Sequence, residues 1–174
     1  MNNILIIGLP GAGKTMLIKK LCVIFKEFNP VGFITKEIIE DGTKTGFELA
    51  NLYGDSRVVA HTKLKSKVVV GRFKVDIRAL DDFLEKTFSR EKKTGLYFID
   101  GIGKMECESK KFNKIILDLL NASRPVIATI ADKGTGLISE IKKREDVRTF
   151  EVTEHTRDLR LKELTMVIRD MLLE

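Results

Sequence analysis

Tryptophan and glutamine are absent from this 174-residue chain, which has only two cysteines, three prolines and two tyrosines. Each shortage removes a class of protein. Cys22 and Cys107 stand far apart in no C-x-x-C pair, so neither a disulfide framework nor a zinc site is expected, and Cys22 reads as a small core residue of the first helix. No apolar run approaches 18 residues, so no membrane-spanning helix is expected. The chain enters a strand within its first residues, so no secretory leader and a cytoplasmic protein are expected. The missing tryptophan also bears on charge. Lys and Arg number 31 against 25 Asp and Glu, a net +6. The basic residues are scattered (Lys63, Lys65, Lys67, Arg90, Lys92, Lys93, Lys142, Lys143, Arg144), without interleaved aromatics to stack on bases. A nucleic-acid partner is therefore not expected, and the surplus reads as a surface whose positive field attracts polyphosphates. The lack of glutamine beside abundant Lys, Glu and Arg is a balance found in heat-stable proteins. No repeat or low-complexity tract interrupts the chain. Its length suits one domain, 1–174, and a monomer is expected.

What is present is organised around Gly8-Leu9-Pro10-Gly11-Ala12-Gly13-Lys14-Thr15, which fits G-x-x-x-x-G-K-[ST]. The apolar run Ile4-Leu5-Ile6-Ile7 before it reads as a buried strand, and Met16-Leu17-Ile18-Lys19-Lys20-Leu21 after it as a helix. A glycine-rich loop between a strand and a helix N-terminus turns backbone N–H groups toward an anion and adds the positive end of the helix dipole. Lys14 is placed to reach β- and γ-phosphates, and the Thr15 hydroxyl to ligate Mg2+.

The remaining sequence alternates strand and helix. Apolar runs predict strands at 3–8, 31–39, 96–99, 125–130 and 148–152. Helical periodicity predicts helices over 14–28, 77–88, 109–121, 137–144 and 158–173, with Asp76 as a cap. Glu40-Asp41-Gly42-Thr43 signals a tight hairpin, and Tyr53-Gly54-Asp55-Ser56 a second turn, so antiparallel strands interrupt the pattern over about 36–61. The expected fold is an α/β P-loop NTPase three-layer sandwich. Its mainly parallel sheet has about five strands, with the hairpin meander as an insertion near the active edge.

Phosphoryl chemistry on a P-loop needs an acidic residue near a buried strand's carboxyl end to position Mg2+. Asp100 follows the apolar run 96–99 and is the candidate, facing Thr15 across the strand ends. Gly101-Ile102-Gly103-Lys104-Met105-Glu106 follows.

Taken together, the early P-loop, Val31-Gly32-Phe33-x-Thr35-x-Glu37, Gly46-Phe47, Val70-Gly71-Arg72-Phe73-x-Val75, Asp100-x-Ile102-Gly103-Lys104-Met105-Glu106 and Arg157-Asp158 resemble the small thermostable nucleoside-triphosphatase family, which includes the cancer-related nucleoside-triphosphatase. The resemblance covers nearly the whole chain. It implies Mg2+-dependent hydrolysis of ATP, GTP, CTP and UTP to the diphosphate, with little base preference. Nucleotide contacts are then expected from Gly8, Leu9, Pro10, Gly11, Ala12, Gly13, Lys14, Thr15 and Met16, and from Asp100, Gly101, Ile102, Gly103, Lys104 and Arg157. Thr15 and Asp100 are the expected metal ligands. Two positions depart from the family pattern: Gly101 stands where the family has Glu, and Thr156 where it tends to have Asn. The lost Glu is the carboxylate expected to position water, so slow turnover is expected. Glu106 and Glu37 become the candidates for that task beside Lys14, and Arg72, Arg144 and Arg157 the candidates for a transition-state cation. His155 is a further candidate to stack on a base. A nucleotide-binding switch and a small nucleoside or nucleotide kinase are the competing readings.

Overall fold

The structure is a computed structural model that describes residues 2–89 and 93–173; Arg90 and Lys92 lie outside the described residues. The strands are β1 (Asn3–Ile7), β2 (Val31–Glu40), β3 (Thr43–Asn51), β4 (Ser56–His61), β5 (Val69–Val70), β6 (Phe73–Val75), β7 (Tyr97–Ile102), β8 (Val126–Ile130) and β9 (Val147–Glu151). The helices are α1 (Lys14–Ile24), α2 (Ile77–Phe88), α3 (Lys110–Leu120), α4 (Leu137–Lys142) and α5 (Arg157–Leu173).

The nine strands of the described residues form one sheet, in the order β5-β6-β4-β3-β2-β7-β8-β1-β9. The expected five strands are its parallel part, β2-β7-β8-β1-β9. The antiparallel strands extend the same sheet and run on to Val75, past the expected end near 61. The reason lies in β2. Its first residues, Val31 to Ile34, are buried and pair in parallel with Tyr97 to Asp100 of β7. Its second half runs beyond the pairs with β7 and is held by β3, from Thr35↔Leu49 to Glu40↔Thr43. The turn between them has Asp41 and Gly42 at φ 49° and 75°, the two left-handed residues that a two-residue hairpin loop requires.

Alternation along the central strands sends side chains to two helical layers. Ile4 and Ile6 of β1, Phe98, Ile127 and Phe150 pack with Leu17, Ile18 and Leu21 of α1 and Leu164 and Ile168 of α5. Leu5, Phe33, Ile99 and Ala128 face the other way, onto α2, α3 and α4. There the Phe33 ring meets Phe83 at 6.2 Å and Phe112 at 6.5 Å. The described residues thus form the expected three layers, with apolar side chains on both faces of the parallel strands.

Boundaries differ where backbone chemistry intervenes. The first helix stops at Ile24, not Phe28: Phe25 leaves helical geometry, a 3-10 turn (Lys26–Phe28) follows, and Asn29 turns left-handed before Pro30. The strand expected over 96–99 continues through Asp100 to Ile102, so Asp100 lies inside β7. Asp76 caps α2 as expected, accepting from Ala79 N at 2.9 Å, and Ser109 caps α3, accepting from Phe112 N at 3.0 Å. Ser109 Oγ also donates to Asp81, tying α3 to α2. Asp76→Ala is expected to cost about 1 kcal/mol, the usual value of a cap. Ser109→Ala, which also breaks the bond to Asp81, is expected to cost more. Urea midpoints of the two variants against the natural chain check the order.

Candidate active site

β1 ends at Ile7 and α1 begins at Lys14, so Gly8 to Gly13 form the loop between them. No side chain caps α1 and its first turn carries no acidic residue, which leaves its first N–H groups directed to whatever occupies the loop. Gly13 sits at φ 94°, and a Cβ there would lie 2.7 Å from Arg157 Nη1. Arg157, the first residue of α5, therefore lies against the loop at Gly13. Lys14 Nζ donates to the carbonyls of Gly8 and Leu9, the latter at 3.1 Å. Burial lowers the pKa of Lys14, and the charges of Asp100 and Asp132 oppose that shift.

The loop opens on a cleft of about 690 Å3. One wall is Gly8, Pro10, Lys14, Thr15 and Lys19; the opposite wall is the overhang of β2 (Thr35, Lys36, Glu37) with Phe47 of β3. The floor is the carboxyl end of β7 and β8, from Asp100 to Gly103 and Thr129 to Asp132, with Glu106. Asp100 is held from three sides. Thr15 Oγ1 donates to one carboxylate oxygen at 2.8 Å, Thr129 Oγ1 to the other at 2.7 Å, and Thr35 Oγ1 to its backbone carbonyl at 2.5 Å. Burial raises the Asp100 pKa, and the Thr129 and Thr15 bonds act against it. A hydroxyl and a carboxylate 2.8 Å apart are hard oxygen donors of the kind that Mg2+ takes, alongside water and phosphate oxygens. The donor set therefore fits the metal, and Thr15 and Asp100 are the residues that would hold it.

The residues expected from sequence fall into distinct places. Gly8, Pro10, Lys14, Thr15, Asp100, Gly101, Ile102, Gly103, Glu106 and Glu37 line the cleft. Leu9, Pro10, Gly11 and Ala12 face a second groove on the other side of the loop, with Val152, Thr153, Glu154 and His155. Met16 is exposed on α1. The structure does not bring Lys104 to the cleft: its side chain is exposed and absent from the lining. Glu37 reaches the cleft with its side chain 54% exposed and paired to Lys44 at 2.7 Å. Arg144 lies at the far end of β1, bonded to Asp146 beside Asn3, so it cannot supply a cation here. Arg72 bonds the Lys44 carbonyl and stacks on Phe73, outside the cleft lining.

Position 101 is more constrained than its sequence suggests. A Cβ built there would run into Thr129 Oγ1 and lie 3.1 Å from the Thr129 carbonyl oxygen. A glutamate at 101 would have to push Thr129 off Asp100. Thr129 itself escaped sequence analysis, although a single threonine in the buried run Val126-Ile127-Ala128-Thr129-Ile130 is a polar group that needs a partner. Thr35, Lys36, Phe47 and Asp132 were also missed, because chain folding alone brings them to the loop.

These features define a P-loop nucleotide-binding α/β protein. The pattern of the NTPase family matches residues 3–165. The nucleoside-triphosphatase THEP1 of Thermotoga sp. (strain RQ2) is 37% identical over 171 residues, covering 96% of this chain and 95% of that one. Its counterpart in Methanocaldococcus jannaschii is 32% identical, over 82% of this chain and 91% of that one. The crystal structure of THEP1 from Aquifex aeolicus superposes with a TM-score of 0.87 at 28% identity, over 95% of this chain and 98% of that one. The solution structure of a human cancer-related nucleoside triphosphatase gives 0.82 at 26% identity, over 98% of both chains. The chain belongs to the NTPase family, whose members are nucleoside-triphosphate phosphohydrolases.

Glu106 is 5% exposed, and burial pushes its carboxyl up to about 7, with the nearby Asp100 charge adding to the rise. A carboxyl raised in the folded state contributes stability that is full below the ordinary value of 4.5 and is lost as pH rises to about 7. The shift corresponds to on the order of 3 kcal/mol. Glu106→Gln, neutral throughout, is expected to melt near the natural chain at pH 5 and clearly above it at pH 8. Thermal unfolding at the two pH values measures the difference.

Proposed function

We infer that the chain is a Mg2+-dependent nucleoside triphosphatase that converts ATP, GTP, CTP and UTP to the diphosphate and phosphate with slow turnover. The observation that carries the reading is the Thr15–Asp100 pair, 2.8 Å apart at the mouth of the P-loop. The names of the relatives support the reaction class. Bound Mg2+ would neutralise charge on the β- and γ-phosphates. The chain's own part is then positional. The backbone from Leu9 to Thr15 cradles the phosphates, Lys14 adds a fixed positive charge beside the β- and γ-phosphates, and Thr15 and Asp100 hold the metal against them. His155, in the groove formed by Leu9 to Ala12, and Arg157, against Gly13, flank the nucleoside end. That groove's P-loop side, Leu9 to Ala12, carries no polar side chain that could read a base edge, which supports a weak preference among bases. The absence of a side chain at position 101 supports slow turnover, since P-loop proteins without a well-placed water-orienting group hydrolyse slowly. The same absence favours a second reading, a nucleotide-binding switch with negligible hydrolysis. We take the protein to act as a cytoplasmic monomer without nucleic acid.

Phosphate release from the four triphosphates, with nucleotide affinity measured in parallel, tests the reading. All four are expected to be hydrolysed with Mg2+, and EDTA to stop the reaction. Lys14→Ala is expected to lower kcat/KM by at least about 10²-fold, the usual effect of removing one charge-stabilising group. Tight binding without any phosphate release in the natural chain would support the switch instead.

A further inference from the structure

A triphosphatase needs a group that orients water and takes its proton, and position 101 has no side chain to do so. Four carboxylates bound the cleft: Glu37, Asp100, Asp132 and Glu106. Asp100 has both oxygens engaged by threonine hydroxyls on the metal side. Glu37 is exposed and spends its charge on Lys44. Asp132 is exposed and acts on Lys14.

Glu106 differs from all three. It is 5% exposed, and among the described residues it forms no ion pair and no hydrogen bond to another side chain. Backbone N–H groups, its own and that of Gly103, hold its carboxylate. The chain reaches this arrangement by folding back: Cys107 N donates to Gly103 O at 3.0 Å, Met105 is buried, and Glu106 returns over Gly103. A Cβ on Gly103 would lie 2.8 Å from Glu106 Oε2, so the glycine leaves the room that the carboxylate fills. A fixed, desolvated carboxylate facing the cleft is what a general base requires.

We propose that Glu106 is the general base of this site, doing the work of the carboxylate that is missing at position 101. The inference rests on the triphosphatase reading above. In the step, the water oxygen forms a bond to the γ-phosphorus while the bond from that phosphorus to the β,γ-bridging oxygen breaks. The nucleoside diphosphate leaves with the electron pair. The water proton passes to Glu106 and then to the departing phosphate or to solvent at the cleft mouth.

The test is steady-state phosphate release by the full chain with Mg2+ and each triphosphate, for the natural protein, Glu106→Gln, Glu106→Asp and Glu106→Ala, with nucleotide affinity and melting temperature recorded for each. Glu106→Gln is expected to lower kcat by about 10²- to 10³-fold, the usual contribution of a general base, with affinity within about twofold. Sodium formate, a diffusible carboxylate, is expected to restore part of the rate to Glu106→Ala and none to Glu106→Gln, whose amide still fills the space. Glu106→Asp, which keeps the charge but shortens the reach, is expected to fall between and decides the matter should Glu106→Gln fail to fold. A kcat for folded Glu106→Gln within about threefold of natural overturns the proposal and leaves the triphosphatase reading standing. So does a loss that appears in Glu37→Gln instead. No phosphate release by the natural chain overturns both.

Discussion

The site depends on how one aspartate is held inside a sheet. Burying an ionised carboxylate is costly unless its oxygens are bonded, and each hydrogen bond to a charged group is worth about 1.5–3 kcal/mol. Asp100 meets that need with hydroxyls from three separate parts of the chain: Thr15 at the start of α1, Thr129 on β8, and Thr35 on β2, which takes the backbone carbonyl. The result is more than satisfaction of one charge. β8 lies between the P-loop strand β1 and the Asp100 strand β7, so the Thr129 and Thr15 bonds tie the two halves of the site across the intervening strand. Hydrogen bonds therefore join the loop, the Asp100 carboxylate and the floor of the cleft.

The second constraint is the length of β2. Because its latter half outruns β7, Lys36 and Glu37 stand over the cleft, and β3 brings Phe47 to the same wall. That wall is stiffened from behind. The Phe47 ring meets Phe73 edge-on at 4.9 Å, Lys44 lies over Phe47, and Arg72 stacks on Phe73 while bonding the Lys44 carbonyl. An aromatic pair of this geometry is worth about 0.5–1.5 kcal/mol beyond its buried area. The antiparallel strands thus act as a braced side of the active cleft, and β-pairing along their whole length makes them part of the main sheet.

The floor and the loop show how closely three glycines are matched to larger neighbours. Gly101 leaves space for Thr129, Gly103 leaves space for the Glu106 carboxylate, and Gly13 leaves space for Arg157. In each case the missing Cβ is the room in which a polar group sits. At 101 and 103 this explains how a chain can lack a carboxylate directly after Asp100 and still present one from the next turn, Glu106. Burial of that carboxyl is destabilising above neutral pH, a cost of the kind that strained or desolvated functional groups carry.

Local chemistry decided much of this protein in sequence alone. The P-loop, the parallel strands, the Asp41-Gly42 turn, the Asp76 cap and the helical faces all follow from spacing and residue type over fewer than about 20 neighbours, the scale on which periodicity and turn chemistry act. Asp100 and Glu106 were also visible, as acidic residues after a buried run. Their environments were not. That Thr129 and Thr35 bond Asp100, that Arg144 sits at the wrong end of β1, that Lys104 points to solvent and that nine strands share one sheet depend on strand order and register. Those are set by long-range pairing and by which side chains a buried carboxylate can recruit. A sequence specifies these only through the whole fold, because burial and hydrogen-bond partners belong to neighbours in space rather than along the chain.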